Sequence, residues 1–510
     1  MSIHRISSQP ILQEQSSAYV FLCHDHDHAA ILEIMGSLCS TVCAQSAHEE
    51  FSGQEGSVLN VPFLIHGAIA YGILVGVGES ISQQYSFEDC CAYVERVRRA
   101  LALAQRMVER LKVVSVAVDL TKVALEPDAT TMVCECVTIW NIASYHLATY
   151  LTDQSRHVAR VQSCAWCIDD QYMQDAQIGL VQGDIIGSSV NMDREWCDTP
   201  PSMLTPRILA QHAQDVAKKH GLSCTVFDEN QIKEMGMGGV AGVARGSDEP
   251  SRFVVLEYGK EFAGKTIGLV GKGVTFDSGG LSLKPAEGME PQKDDMAGAA
   301  SVIATMSAIS QLKLPVHVVV VTPMVENLPS GKSLKPGDII RFYNGKTAEI
   351  LNTDAEGRLI LADALAYITK HYNITKLYDI ATLTGACIYA VGPHYAAVMG
   401  HDKPMLAELY ETGLKSGDRV WALPFDPAYK KAIRSDLADI SNKGSSRYRA
   451  GTITAGLFLS YFVPEDVAWV HTDIGSVSFD VPDKPYYRIG GATGFGVRLF
   501  IEMIKQEAQK

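Results

Sequence analysis

The sequence predicts an α/β chain in two domains, and three observations carry that reading. The chain has 510 residues of which 47% are hydrophobic, enough to bury more than one core. Short runs rich in Val, Ile and Leu alternate with helical segments along the chain, the pattern of strands and helices packed in layers. Glycine-rich turns close some of those runs, most clearly after Lys265–Val270.

In the first part, β-like runs at Ala18–Leu22, Gly72–Gly76 and Val113–Val118 are mixed with helical segments at about 91–112 and 135–150. Residues 1–167 are therefore expected to form one α/β domain, 168–196 a polar linker helix, and 197–510 a larger domain. Pro200, Pro201 and Pro206 stop any helix after the linker, because proline lacks an N–H and restricts the residue before it. In the larger domain, strands are expected at Ile267–Val270, Val316–Thr322, Leu377–Thr382 and Val467–His471, and helices at Ala297–Leu312 and Leu359–Tyr372. Both helices are apolar on nearly every side, so they should be sandwiched rather than surface-lying. A mixed central sheet flanked by helices fits, with a site at the strand ends.

The most informative stretch is Asn352-Thr353-Asp354-Ala355-Glu356-Gly357-Arg358-Leu359. In an extended or strand-end conformation, residues two apart point the same way, so Asp354, Glu356 and Arg358 would converge on one small volume. The plain alternative is an Asx turn with acidic residues in the first turn of a helix. A second cluster stands upstream. The buried strand Lys265–Val270 delivers Gly271–Gly280 into a glycine-rich turn, followed by Lys284 and the pair Asp294-Asp295. Zinc, manganese and magnesium accept carboxylate oxygens, and two ions held together need bridging and terminal carboxylates from more than one segment. Asp277, Asp295, Asp354 and Glu356 supply that set without a histidine.

Val270–Gly280 (VGKGVTFDSGG) and Asn352–Leu359 (NTDAEGRL) resemble the two signatures of the leucyl aminopeptidase family of two-metal metallopeptidases. Further pieces fall in the family's order: Thr199-Pro200-Pro201 with Leu204-Thr205-Pro206, Val254–Tyr258, Ala381–Ala386, Trp421 with Leu423-Pro424, and Gly491–Gly494. The resemblance implies that Lys272, Asp277, Asp295, Asp354 and Glu356 hold two divalent ions per subunit, manganese or zinc, with Asp277 and Glu356 bridging. A lysine ligand must be unprotonated although its reference pKa is about 10.4. Burial and an adjacent dication can remove that proton; a salt bridge to the same carboxylates is the alternative.

The resemblance further implies hydrolysis of the first peptide bond of a peptide with a free N-terminus, through a metal-bridging water. Lys284 would stabilise the oxyanion and Arg358 would hold a bicarbonate that serves as base. An ordinary ion pair from Arg358 to Asp354 or Asp363 is the alternative. Also implied are a macro-like N-terminal domain, a catalytic C-terminal domain, and a homohexamer whose sites face an internal cavity admitting short peptides. Three departures bear on substrate choice rather than on the ligands. Gln292 stands where relatives carry an apolar residue such as Met near the side-chain pocket, Asp198 and Ser202 flank Thr199-Pro200-Pro201 where Asn is common, and His471–Ser476 replaces a DIAG run.

The formal charge of −14 argues against broad nucleic-acid binding, which depends on neutralising phosphates. Some bacterial members of the family also bind DNA, and the charge gives that partner no support. The strongest basic run, Arg96 to Arg99 with Arg106, Arg110 and Lys112, reads as a solvated helix face. No membrane span and no secretory signal are visible, so a cytoplasmic location with reduced cysteines is expected. Cys23-His24-Asp25-His26-Asp27-His28 reads as a loop, and Cys164 with Cys167 is a CxxC lacking a second pair. Gly236–Ala241 follows no strand, so it is no dinucleotide fingerprint, and Gly331-Lys332-Ser333 lacks the upstream glycine of a P-loop. A regulatory protein keeping this fold, or a two-metal phosphoesterase, are the rival function classes.

Overall fold

The structure, a computed structural model, describes residues 3–25, 34, 51–65, 67–80, 85–124, 128–158, 160–262 and 264–510. Two compact units are present: Met1–Asn191 with Asp483–Arg488, and Met192–Pro482 with Ile489–Lys510.

The first unit is built on β1 (His4–Ser7), β2 (Ala18–His24), β3 (Val58–Ile65), β4 (Ala68–Gly78), β5 (Ser115–Asp119) and β6 (Ser163–Cys167), in the order β1-β6-β5-β2-β4-β3. All neighbours are parallel except β3 against β4. β2 is buried along Ala18–Cys23, as its unbroken apolar run requires of an inner parallel strand. The helices are α1 (Phe87–Leu111), α2 (Ala129–Ala143) and α3 (Met173–Asp198), whose residues from Met192 on belong to the second unit. α1 and α2 begin several residues before their apolar patterns do, because caps set their starts: Ser86 and Asp89 form a capping box, and Asp128 accepts from the Thr131 N–H.

The basic run on α1 is not a solvated face. Arg98 is buried, 2.8 Å from Glu135 and 3.4 Å from Glu95. Arg96 donates to the carbonyls of Val77 and Glu79, Arg99 pairs with Glu55, and Arg106 reaches the carbonyls of Pro485 and Tyr487. Arg110 and Lys112 alone of that run remain exposed, which leaves no basic stripe for a phosphate backbone. Cys164 and Cys167 are buried free thiols on β6; burial pushes Cys167 up to about 12 and Cys164 upward too, so neither is a reactive thiolate. Of the Cys23–His28 tract, His26, Asp27 and His28 lie outside the described residues.

Glu95 also accepts from the Lys484 ammonium at 2.9 Å and the Tyr486 hydroxyl at 2.8 Å, tying Asp483–Arg488 to α1. Burial would raise its carboxyl, but Lys484 and Arg98 outweigh that and hold it at about 2, against an ordinary 4.5. A depressed folded-state value means the stabilisation is complete above the ordinary value and is lost as pH falls through the folded one. Glu95→Gln should therefore remove up to about 3 kcal/mol at neutral pH. Denaturant unfolding should show the wild-type advantage fading between pH 4.5 and about 2.

The second unit holds a nine-stranded mixed sheet. Its strands are β7 (Ser223–Phe227), β8 (Arg252–Tyr258), β9 (Thr266–Gly271), β10 (Gly273–Asp277), β11 (His317–Asn327), β14 (Lys376–Ala381), β15 (Ala396–Gly400), β16 (Val420–Ala422) and β18 (Ala468–Asp473); the small β12 (Ile339–Arg341), β13 (Thr347–Glu349) and β17 (Ile440–Ser441) form a separate sheet. The order is β16-β15-β18-β14-β9-β11-β8-β7, with β10 beside β11. The central strands β9, β11, β14 and β18 are mutually parallel, so their C-terminal ends share one edge. Among the helices are α4 (Pro206–His220), α5 (Gly238–Ala244), α6 (Ala297–Gln311), α7 (Gly357–His371), α8 (Ala386–Val391), α9 (Lys403–Ser416), α10 (Gly451–Ser460) and α11 (Val497–Ala508). α6 packs against β9, β11, α4 and α11, whereas α7 packs against β9, β11, α5 and α10. Both are buried along most of their length, as their all-round apolar character demands. No helix among the described residues is long and apolar enough to cross a membrane.

Candidate active site

Lys272 is the single residue between β9 and β10, and the backbone clamps it there. Its N–H donates to the Ile380 carbonyl at 3.1 Å and its carbonyl accepts from the Ala299 N–H at 2.8 Å. This contact between β14 and the start of α6 needs glycine: a Cβ on Gly298 would stand 2.2 Å from the Ile380 oxygen. Asp277 closes β10, and its Oδ1 accepts from the Gly279 N–H and the Asn327 side-chain amide, both at 2.8 Å. Asp295 lies two residues before α6, next to its N-cap Met296.

The second acidic stretch is not extended. The Asp354 N–H donates to Asn352 Oδ1 at 2.9 Å, an Asx turn, and Glu356 already has helical angles (φ −79°, ψ −36°) as the N-cap of α7. The turn-and-helix alternative is thus the local structure, and it builds the site: the chain coils the two carboxylates around a helix N-terminus, where negative charge is favoured. Arg358 falls in the first helical turn. The two acidic segments are bolted together by Thr353, whose hydroxyl donates to the Gly279 carbonyl at 2.7 Å, and by Asn327, which also donates to the Thr353 carbonyl at 3.0 Å.

One oxygen each from Asp277, Asp354 and Glu356 lie within 4.8 Å of one another. Lys272 Nζ is 2.7 Å from Asp295 Oδ1 and 2.9 Å from Glu356 Oε1, which joins Asp295 to that group, and it donates to the Thr382 carbonyl at 2.8 Å. Lys284 Nζ bridges Asp277 Oδ2 at 2.7 Å and Asp354 Oδ1 at 2.5 Å. Lys272 thus makes the salt bridges weighed against a ligand role. Burial works against both ammonium charges, but the surrounding carboxylates outweigh it and hold both lysines above the ordinary range. Asp277, Asp295 and Asp354 are raised, first by burial and then by like-charged neighbours. Neither alternative partner of Arg358 pairs with it. Asp363 accepts from the backbone N–H groups of Val240 and Tyr343, while Arg358 Nη1 donates to the Asn442 carbonyl at 2.8 Å. Burial lowers the guanidinium to about 10.

These groups line a cleft of about 1090 Å³ that also takes in Gln292, Asp294, Leu383, Lys443 and Arg449. Gln292 donates to the Gly288 carbonyl at 3.0 Å on one wall. Asp473, at the end of β18, accepts from the Leu383 N–H and the Thr384 hydroxyl and so fixes the loop that presents Thr382 to Asp295.

Residues 191–501 match the model of the cytosol aminopeptidase family, catalytic domain. The chain belongs to the cytosol aminopeptidase family. It is 36% identical over 505 residues to a protein of a Geobacter species named "Probable cytosol aminopeptidase", covering 98% of this chain and 99% of that one. A protein of the same name from Alkaliphilus oremlandii (strain OhILAs) is 38% identical over 461 residues, 90% of this chain and 89% of the relative. Among solved structures, a mutant of tomato leucine aminopeptidase superposes with a TM-score of 0.84 at 26% identity, covering 99% of this chain and 96% of that one. The bottromycin maturation enzyme BotP in complex with Mn gives 0.83 at 29% identity, covering 97% and 100%. The chain is accordingly a metal-dependent aminopeptidase of that family, a peptidase hydrolase.

The residues present fit divalent ions. Asp295 Oδ2 and Glu356 Oε2 are buried with no hydrogen-bond partner, an arrangement costly by itself and natural for oxygens facing a cation. Four carboxylates and one amine make a hard to borderline donor set of the kind manganese and zinc accept.

Proposed function

We propose that this chain removes the N-terminal residue from short peptides, and that Lys272, Asp277, Asp295, Asp354 and Glu356 hold its two divalent ions. The observation that carries this reading is the convergence of Asp277, Asp354 and Glu356 oxygens within 4.8 Å, with two lysines inserted among them. When bound, such ions supply Lewis acidity and lower the pKa of a coordinated water.

The rest falls to the chain's own groups. A peptide's α-ammonium is drawn to the most acidic part of the cleft, which sets the N-terminal residue over the carboxylates. Lys284, held between Asp277 and Asp354, directs its ammonium toward the scissile carbonyl oxygen, where negative charge grows. Arg358 has committed Nη1 to Asn442, and its buried Nε has no partner. Its planar fork suits a carbonate-like anion, the base that family resemblance implies, better than a lysine would. The six-stranded unit holds none of these residues and is read as an ancillary domain.

Purified protein should hydrolyse aminoacyl amides, lose activity in chelator and regain it with Mn²⁺ or Zn²⁺. Inactivity toward a panel of aminoacyl substrates with both ions supplied would overturn the reading.

A further inference from the structure

Two parts of the cleft wall, one of them made of two stretches of chain, carry opposite charge. Residues 285–294 and 478–480 contribute Glu287, Glu290, Asp294 and Asp480, whereas residues 443–451 contribute Lys443 and Arg449. The one cation on the acidic stretch, Lys293, is spent on the Asp198 carbonyl at 2.7 Å. Lys443 and Arg449 are exposed, and neither has an ion-pair partner among the described residues. In a chain of formal charge −14, two uncommitted cations in the wall of the acidic cleft stand out.

Their backbone placement is specific. Asn442, the residue before Lys443, accepts from Arg358 Nη1 at 2.8 Å, so the Lys443 main chain starts within about 5 Å of that guanidinium. Arg449 sits at φ +49°, a left-handed conformation uncommon for a residue with a β-carbon and concentrated at functional sites. An extended dipeptide spans about 7 Å. A substrate whose ammonium lies over the carboxylates and whose scissile bond passes Lys284 can therefore present its second residue to the 443–449 wall.

We propose that Lys443 and Arg449 form a subsite for a carboxylate at the downstream end of the substrate. This rests on the aminopeptidase reading and narrows it to peptides that are positive at one end and negative a residue or two further on. The carboxylate is either the C-terminus of a dipeptide or tripeptide, or an Asp or Glu side chain following the scissile bond. The two charged walls orient such a zwitterion, and neither end needs a deep pocket.

The test compares kcat/KM, in the metal-loaded full chain, for an aminoacyl-glycine against its C-terminal amide, and for an aminoacyl-aspartate amide against the aminoacyl-asparagine amide. At low ionic strength the carboxylate member of at least one pair should be preferred by about 3- to 10-fold. Whichever pair shows the preference identifies the source of the carboxylate. The ratio should shrink with added salt, fall to near one in a Lys443→Ala/Arg449→Ala variant, and survive in Arg449→Lys. Ratios near one in the wild type, or a ratio that persists in the double variant, would overturn the subsite while leaving the aminopeptidase intact. No turnover of any of the four would sink the aminopeptidase reading and the subsite with it.

Discussion

Glu356→Ala should leave a protein that folds but no longer gains stability from divalent ions and no longer turns over peptides. Glu356 is the carboxylate with the most demands on it. One oxygen meets Lys272 at 2.9 Å, the other is buried without a partner, and the group lies within reach of both Asp277 and Asp354. Its loss should lower kcat by more than the about 10–100-fold that follows loss of a mere outer-shell partner of a metal ligand. A readout independent of turnover is the shift in unfolding midpoint on adding Mn²⁺ or Zn²⁺. A site filled at 100 times its dissociation constant gains about 2.7 kcal/mol by mass action, and the variant should lose most of that gain. Without metal the variant should be little destabilised, because two effects oppose. Lys272 loses a partner but keeps Asp295 at 2.7 Å, and Asp277 and Asp295 lose the like charge that helps raise them. Wild-type metal-induced stabilisation in Glu356→Ala would refute the ligand assignment.

What the sequence made legible was chemistry carried on contiguous segments. Lys272 and Asp277 sit five residues apart, one just before β10 and one at its end, where a glycine-rich turn was expected, and Asp354, Glu356 and Arg358 alternate; donor type and spacing were enough to expect these groups in one place. The sequence leaves open the conformation that unites them, because alternation looks the same whether a strand presents it or an Asx turn runs into a helix. Nothing local separates those until the Asn352 side chain is seen to take the Asp354 N–H. Asn327, Asn442 and Asp473 were missed for a different reason. Each acts across the fold, Asn327 on Asp277 at 50 residues' separation and Asn442 on Arg358 at 84; those two belong to no recognisable local pattern, and Asp473 stands in the His471–Ser476 run, whose departure from DIAG gives no sign of its loop-holding role. The basic run on α1 failed in the opposite sense. Its cations looked solvated because their partners, Glu55, Glu135 and the carbonyls of Val77 and Pro485, lie on other segments.

Gly357→Ala should cost about 10–100-fold in kcat with little change in global stability, an effect that helix propensity alone would predict with the wrong sign. Gly357 opens α7, where Ala gains up to about 1 kcal/mol over Gly. A Cβ there would lie 2.6 Å from Lys272 Cε and 2.8 Å from Nζ. The clash is with the end of a side chain, so the fold need not yield; the lysine must. That lysine, however, cannot move freely, since Nζ is committed to Asp295, Glu356 and the Thr382 carbonyl at 2.7–2.9 Å. Displacing it by about 1 Å opens those contacts and shifts two proposed ligands together, and misplacement on that scale costs about 100-fold in rate. Gly331, whose Cβ would meet nothing within 4 Å, provides the control: Gly331→Ala should leave kcat and the unfolding midpoint as they are. If Gly357→Ala matched the wild type in turnover while Gly331→Ala did too, Lys272 would be a bystander rather than part of the site.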